Sequence, residues 1–206
     1  MSKAPSDREL GIRTQRSEGI ERLDLEGPNR IHAERYEATP PGILDEMLLG
    51  LDVEWPAATF TDLGCGKGRV VCHAARWPFA RVVGVELSAT LAEQAQANVA
   101  AMRPAHRKAA KVEVQQGDAA RHRFGPGPQV LYLYNPFRAP VLRAVVQHLL
   151  TDLTRHRAEA YVLYFEPMAR AVLEQRPEVS LVAEARRWAV FRVAPGVTGE
   201  TPNALE

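Results

Sequence analysis

Cysteine is scarce in this 206-residue chain: only Cys65 and Cys72 occur, close together in sequence. Two thiols neither frame a disulfide-stapled secreted fold nor complete a zinc site, and no His or Cys spacing suits a metal ion. Both are therefore read as reduced packing residues, in a cytosolic protein with no resident metal. An excess of charge of one sign is also missing. Lys and Arg number 26 against 25 Asp and Glu, a net charge of +1. That balance excludes a dedicated non-specific nucleic-acid binder, although it leaves room for a local basic patch. No apolar run approaches the roughly 18 residues of a membrane span. The N-terminal MSKAPSDREL lacks the apolar segment of a secretory signal, so no membrane partner is expected. No internal repeat or long low-complexity tract is present, and nothing in the sequence bears on oligomeric state.

What is there is an ordinary globular balance, 46% apolar and 25% charged residues, in a chain of one-domain length. Residues 1 to about 38 mix charges of both signs with little periodicity. They read as a mobile arm or solvated helix, with a lid over a site as the functional alternative. Thr39-Pro40-Pro41 has the form of a helix start, Thr as N-cap and Pro in the first turn. Ile43, Leu44, Met47, Leu48 and Leu51 then form one apolar helical face. From residue 58 strands and helices alternate. Strands are expected at 58–63, 81–86, 111–116, 130–134 and 160–165, with helices at 69–76, 88–102, 139–153 and 168–175. Segments 179–183 and 189–193 are strands with no room for a helix between them, so they must pair antiparallel. The fold class is thus α/β: a doubly wound, mostly parallel seven-stranded sheet, helices on both faces, closed by a C-terminal antiparallel pair. The core is assigned to residues 39–194, and 195–206 form a tail.

Ligands of such sheets sit outside the carboxyl ends of the strands. After the first strand comes Asp62-Leu63-Gly64-Cys65-Gly66-Lys67-Gly68, three alternate glycines that allow positive φ and close backbone approach. After the second comes Glu86, whose carboxylate can accept from both hydroxyls of a ribose. After the third comes Asp118, which either accepts from an exocyclic amine or caps a turn. After the fourth comes Tyr134-Asn135-Pro136-Phe137, an amide and a flat ring beside a turn. Glu166-Pro167, after the fifth, reads as turn chemistry. His122, in a polar stretch, reads as a solvated histidine.

Taken together FTDLGCGKGR, VVGVELS, GDA and YNPF resemble, in order and spacing, the class I S-adenosylmethionine-dependent methyltransferases. The resemblance covers roughly residues 36–194 and includes the terminal hairpin. It implies that Asp62 and the backbone of Gly64, Gly66 and Gly68 hold the methionine part of S-adenosylmethionine, Glu86 the ribose and Asp118 the adenine amine. It implies that Asn135 faces the transferred methyl, with Phe137 as a wall. RYEATPP resembles a lid segment of some members, including relatives that methylate protein lysines, which would bring Tyr36 and Thr39 to the cofactor. One departure concerns the acceptor. Members acting on bases or glutamine often place two prolines before the aromatic residue, and here one proline separates Asn135 from Phe137.

Two other readings use the same residues. The glycine loop and Glu86 also suit a nicotinamide-dependent oxidoreductase, but the third glycine follows the second by two residues rather than three. A non-catalytic cofactor-binding module would keep Glu86 and Asp118 and transfer nothing. For a methyltransferase, the balanced charge favours a small molecule or a protein side chain as acceptor over nucleic acid.

Overall fold

The computed structural model describes residues 4–15, 24, 37–135 and 137–194. Its centre is a seven-stranded sheet of β1 (Thr59–Leu63), β2 (Arg81–Glu86), β3 (Lys111–Gln116), β4 (Gln129–Tyr134), β5 (Ala160–Phe165), β6 (Val179–Ala185) and β7 (Trp188–Val193). The spatial order is β3-β2-β1-β4-β5-β7-β6. β1 to β5 run parallel, while β7 pairs antiparallel with both β5 and β6. The expected architecture is therefore present, with every strand within two residues of its expected bounds. β2 and β4 are buried along almost their whole length, which is why they read as apolar runs rather than alternating ones.

Strand order reverses between β1 and β4, and this reversal opens the crevice where the site is built. On one face Phe60, Val82, Tyr132 and Phe165 pack under the helices α2 (Ile43–Leu48), α3 (Arg69–Ala74) and α4 (Ala89–Ala101). On the other face Leu63, Val85, Leu131, Leu133 and Tyr164 pack under α5 (Ala139–His156) and α6 (Ala171–Glu174). α5 supplies Val141, Leu142, Val145, Leu149 and Leu153 at helical spacing, the stripe its sequence shows. α4 begins at Ser88, whose hydroxyl accepts from Leu91 N at 3.2 Å.

Two segments differ from their sequence reading. Helix α2 starts at Gly42, in the left-handed region with φ 91°, and not at Thr39. Thr39 is buried, and its hydroxyl hydrogen-bonds the Tyr132 hydroxyl at 2.9 Å, so it is unavailable as a cap. Residues 4–15 are likewise no free arm, being packed on the core along one side. They hold a one-turn helix, α1 (Asp7–Leu10), closed by a Ser6/Glu9 capping box and by Gly11 at φ 82°. Leu10, Ile12 and Thr14 are buried against the face that carries α3 and α4. Tyr36 lies outside the described residues.

Candidate active site

The chain leaves β1 at Leu63 and turns sharply, with Gly64, Gly66 and Gly68 all at positive φ (78°, 52° and 77°). A side chain is strained at each of these positions, which explains the alternate glycines. The turn is tied to β2: Gly64 N and Cys65 N both donate to Val85 O, at 2.8 and 3.0 Å. Gly84, on β2 beneath it, keeps the two in contact, because a Cβ there would stand 2.8 Å from Cys65 Sγ and 2.8 Å from Val71 Cγ2.

Glu86 ends β2 and fastens the same turn from the other side. One carboxylate oxygen accepts from Gly66 N at 2.8 Å and the other from Ser88 N at 3.0 Å. Burial pushes its carboxyl up, and the Ser88 and Gly66 amides pull it back. Asp62 is buried beside it. Burial first and the nearby Glu86 second drive its carboxyl well above the usual carboxylate range. Among the described residues no donor offsets that burial. A buried acid of this kind, next to a tight turn with exposed backbone, suits a small cationic group such as an α-ammonium. Two buried acids beside a bare backbone turn thus fit an amino-acid-bearing nucleoside.

The remaining expected residues fall into two groups. Asp118 caps a short 3-10 turn through Ala120 N at 2.9 Å, so the capping role that its sequence allowed is present. Asn135 follows β4 in the left-handed region (φ 38°), and Glu166 follows the neighbouring β5 in the same conformation (φ 50°). Non-glycine residues rarely take this conformation, and such strain gathers at functional sites. Here the two sit side by side, because β4 and β5 end in register at Tyr134 and Phe165. Asn135 accepts a long hydrogen bond, 3.4 Å, from Met168 N. Glu166 is ion-paired with Arg187, which also lies 4.8 Å above the Phe165 ring. That pairing agrees with a structural role for Glu166 at its turn.

Between these strand ends lies a cleft of about 480 Å³ lined by Glu37, Tyr134, Asn135, Phe137, Tyr164 and Met168, among others. Asn135 and Phe137 are brought together here as expected. Thr39 does not line this cleft, and its carbonyl accepts from Arg69 beside the glycine turn. Glu37, Tyr164 and Met168 are among the lining residues that were not singled out from sequence. Tyr164 carried a signal, since it follows the strand alternation that ends at the Glu166 turn. Burial raises the Tyr134 hydroxyl above its ordinary range, so it is protonated at neutral pH. His122 is half-buried, edge-on to Phe124 with ring centroids 4.9 Å apart, and burial brings its imidazole down to about 4. It is neutral in the physiological range and not the solvated histidine its surroundings suggest. Among the described residues no group of His, Cys, Asp and Glu could hold a metal ion, and no helix is long and apolar enough to cross a membrane.

A family model for a methyltransferase domain matches residues 60–158, which contain the glycine turn, Glu86, Asp118 and Asn135. Residues 60–158 form a methyltransferase domain of the class I S-adenosylmethionine-dependent kind. This methyltransferase also resembles solved structures. A Pyrococcus horikoshii chain classed provisionally as an RNA methyltransferase is 15% identical, with a TM-score of 0.54 over 85% of this chain and 94% of the other. A Listeria monocytogenes chain predicted to be an N6-adenine-specific DNA methylase is 15% identical, with a TM-score of 0.53 over 77% and 52%. An RNA methyltransferase from Salinibacter ruber, in complex with S-adenosyl-L-homocysteine, is 25% identical, with a TM-score of 0.48 over 80% and 97%. These are likenesses of fold. No curated protein matches the chain. The family match decides against the nicotinamide reading of the glycine turn.

Proposed function

We propose that this methyltransferase binds S-adenosylmethionine at the β1–β2 strand ends and passes the methyl to an acceptor held in the Tyr134–Tyr164 cleft. The observation that carries the proposal is the Glu86 carboxylate locked between Gly66 and Ser88, with the buried Asp62 beside it. This arrangement presents two acids and a bare backbone turn at the point where strand order reverses. The cofactor supplies a methyl already activated on a sulfonium. Asp62 and the glycine turn hold the amino-acid end, Glu86 accepts from the ribose hydroxyls, and Asp118, which also caps its turn at Ala120, accepts from the adenine amine.

On the acceptor side the protein contributes alignment, which can supply several kcal/mol of the barrier on its own. Asn135 Oδ1 orients the acceptor, and Phe137 limits its tilt. Glu166 is committed to Arg187, and the Tyr134 hydroxyl is protonated, so the proton of an amine acceptor leaves to water at the open cleft mouth. A volume of about 480 Å³ falls within the range of small-molecule sites. Together with the balanced net charge, this supports a small molecule or a protein side chain as acceptor. The test has two parts. Calorimetry should show S-adenosylhomocysteine binding without added metal, and absence of heat and of a thermal shift with folded protein would refute the cofactor assignment. A lysate treated with labelled cofactor and fractionated should then place the label in small molecules or protein. Label confined to nucleic acid would overturn the acceptor class.

A further inference from the structure

Behind the glycine turn lies a cluster of polar side chains that the transfer reaction does not use. Arg69 is the first residue after Gly68, and it is buried. Its guanidinium is fully engaged. Nε donates to Thr14 Oγ1 at 2.7 Å, one terminal nitrogen donates to the Thr39 carbonyl at 2.9 Å, and the other meets Asp7 Oδ1 at 2.8 Å. The second Asp7 oxygen accepts from both the backbone N and the hydroxyl of Thr14, at 2.8 and 2.7 Å. The side chains of the Asp7–Arg69 pair are only 9% and 7% exposed. A second tie runs parallel to it. Asn98, on α4, accepts from Arg13 N at 2.8 Å and donates to Lys67 O, inside the glycine turn, at 2.9 Å. Two independent side chains thus join the N-terminal segment to the two ends of the same short stretch, Lys67 and Arg69.

A residue packed there only for stability would need no such convergence on the cofactor turn. We propose that Arg69 is a positioning residue, and that through Asp7, Thr14 and Thr39 it makes the docked N-terminal segment a brace for the glycine turn. Docking of residues 4–15 and occupation of the turn are then one linked equilibrium. Each favours the other by the same factor, typically about 5- to 150-fold. The planar, fork-shaped use of Arg69 matters to this role, since a lysine offers a single ammonium and cannot hold three acceptors in one plane. The proposal rests on the cofactor reading above, and its test separates the two.

The variants are Asp7→Asn, which leaves the guanidinium buried without its counter-charge, and the milder Thr14→Val, which keeps that pair. Val193→Ala, in β7 and remote from the turn, serves as a control for general destabilisation. Removing one partner of a buried pair should lower the melting point of Asp7→Asn by about 6–20 °C. Well below its melting point, Asp7→Asn should bind S-adenosylhomocysteine at least about fivefold more weakly, with Thr14→Val falling between it and the wild type. Val193→Ala should lose stability but keep affinity. In the free protein, hydrogen exchange at Gly66 and Gly68 should quicken in Asp7→Asn and not in Val193→Ala. Bound S-adenosylhomocysteine should slow exchange at Leu10, Ile12 and Thr14 of the wild type. The brace is refuted if Asp7→Asn and Thr14→Val keep wild-type exchange at Gly66 and Gly68 in the free protein. It is equally refuted if both bind within twofold of wild type. A wild-type protein that binds no S-adenosylhomocysteine would instead remove the cofactor reading, and the exchange comparison in the free protein would still decide the brace.

Discussion

Replacing Gly84 by alanine adds one methyl group at a crowded point under the glycine turn. The new Cβ would lie 2.8 Å from Cys65 Sγ, 2.8 Å from Val71 Cγ2 and 3.1 Å from Cys65 Cβ. Carbon and sulfur atoms in contact prefer separations nearer 3.5–4 Å, so both neighbours must move. Neither is a flexible side-chain end: Cys65 lies within the turn and Val71 within α3. Overpacking of this kind typically costs about 1–3 kcal/mol. In a protein this size that lowers the melting point by about 2–12 °C. The displacement also has a direction. Pressure on Cys65 moves the turn, whereas pressure on Val71 moves α3. Gly84→Ala should therefore melt early and bind S-adenosylhomocysteine more weakly. Adding Cys65→Ala should restore affinity ahead of stability, and adding Val71→Ala should restore stability ahead of affinity. Thermal denaturation and calorimetry on the four proteins decide the matter. If Gly84→Ala melts within a degree of wild type with unchanged affinity, β2 does not set the position of the turn.

Glu86→Ala should weaken S-adenosylhomocysteine binding more than Asp118→Ala, because Glu86 also fastens Gly66 inside the glycine turn, whereas Asp118 caps a turn at Ala120. Loss of a charged hydrogen bond predicts roughly 10- to 150-fold for Glu86→Ala, and equal affinities in calorimetry would contradict the ribose role. Asp62→Asn should separate stability from binding. The folded Asp62 carboxyl is raised by burial and then by Glu86, so the folded state holds its proton more tightly than the unfolded chain does. Its stability contribution is intact below the ordinary aspartate range and declines as pH rises until the folded carboxyl ionises. Asparagine has no proton to lose, so the variant should melt above wild type at pH 8, with the gap closing near pH 4, while binding S-adenosylhomocysteine more weakly. A gap independent of pH would show that Asp62 is not held protonated by burial. Asn135→Ala should lower transfer rate more than cofactor affinity once an acceptor is known; an activity loss that merely follows the unfolded fraction would return Asn135 to its turn.

The parallel core was legible because its signals are local. Val82, Val83 and Val85 in an uninterrupted apolar run, and three glycines straight after β1, announce themselves within ten residues. The same holds for Glu86 and Asn135, which are found by counting to the end of a strand. What was not legible depends on partners far along the chain. Thr39 has the local form of a helix cap, yet its hydroxyl is taken by Tyr132, 93 residues on. Asp7 and Thr14 look like solvated polar residues until Arg69 is placed between them. Asp118 shows the limit from the other side: its capping bond was expected as one of two roles, and its presence leaves the second to be tested by binding. The cleft was half legible, through Asn135 and Phe137, while Glu37 and Met168 reach it from turns whose course no periodicity reveals.

The docked N-terminal segment also bears on how the chain is made. Residues 4–15 leave the ribosome well before their partners, which lie 62 residues on at Arg69 and 85 on at Asn98. A four-residue helix cannot persist by itself in water. The capping box of Ser6 and Glu9 therefore keeps only a local bias alive while the sheet strands emerge. The segment can settle only after α4 is complete, when Arg103 N reaches the Leu10 carbonyl at 2.9 Å. A segment made before the core is thus among the later ones to find its place. A nascent chain halted before residue 98 should leave this end open to proteases that the finished protein resists.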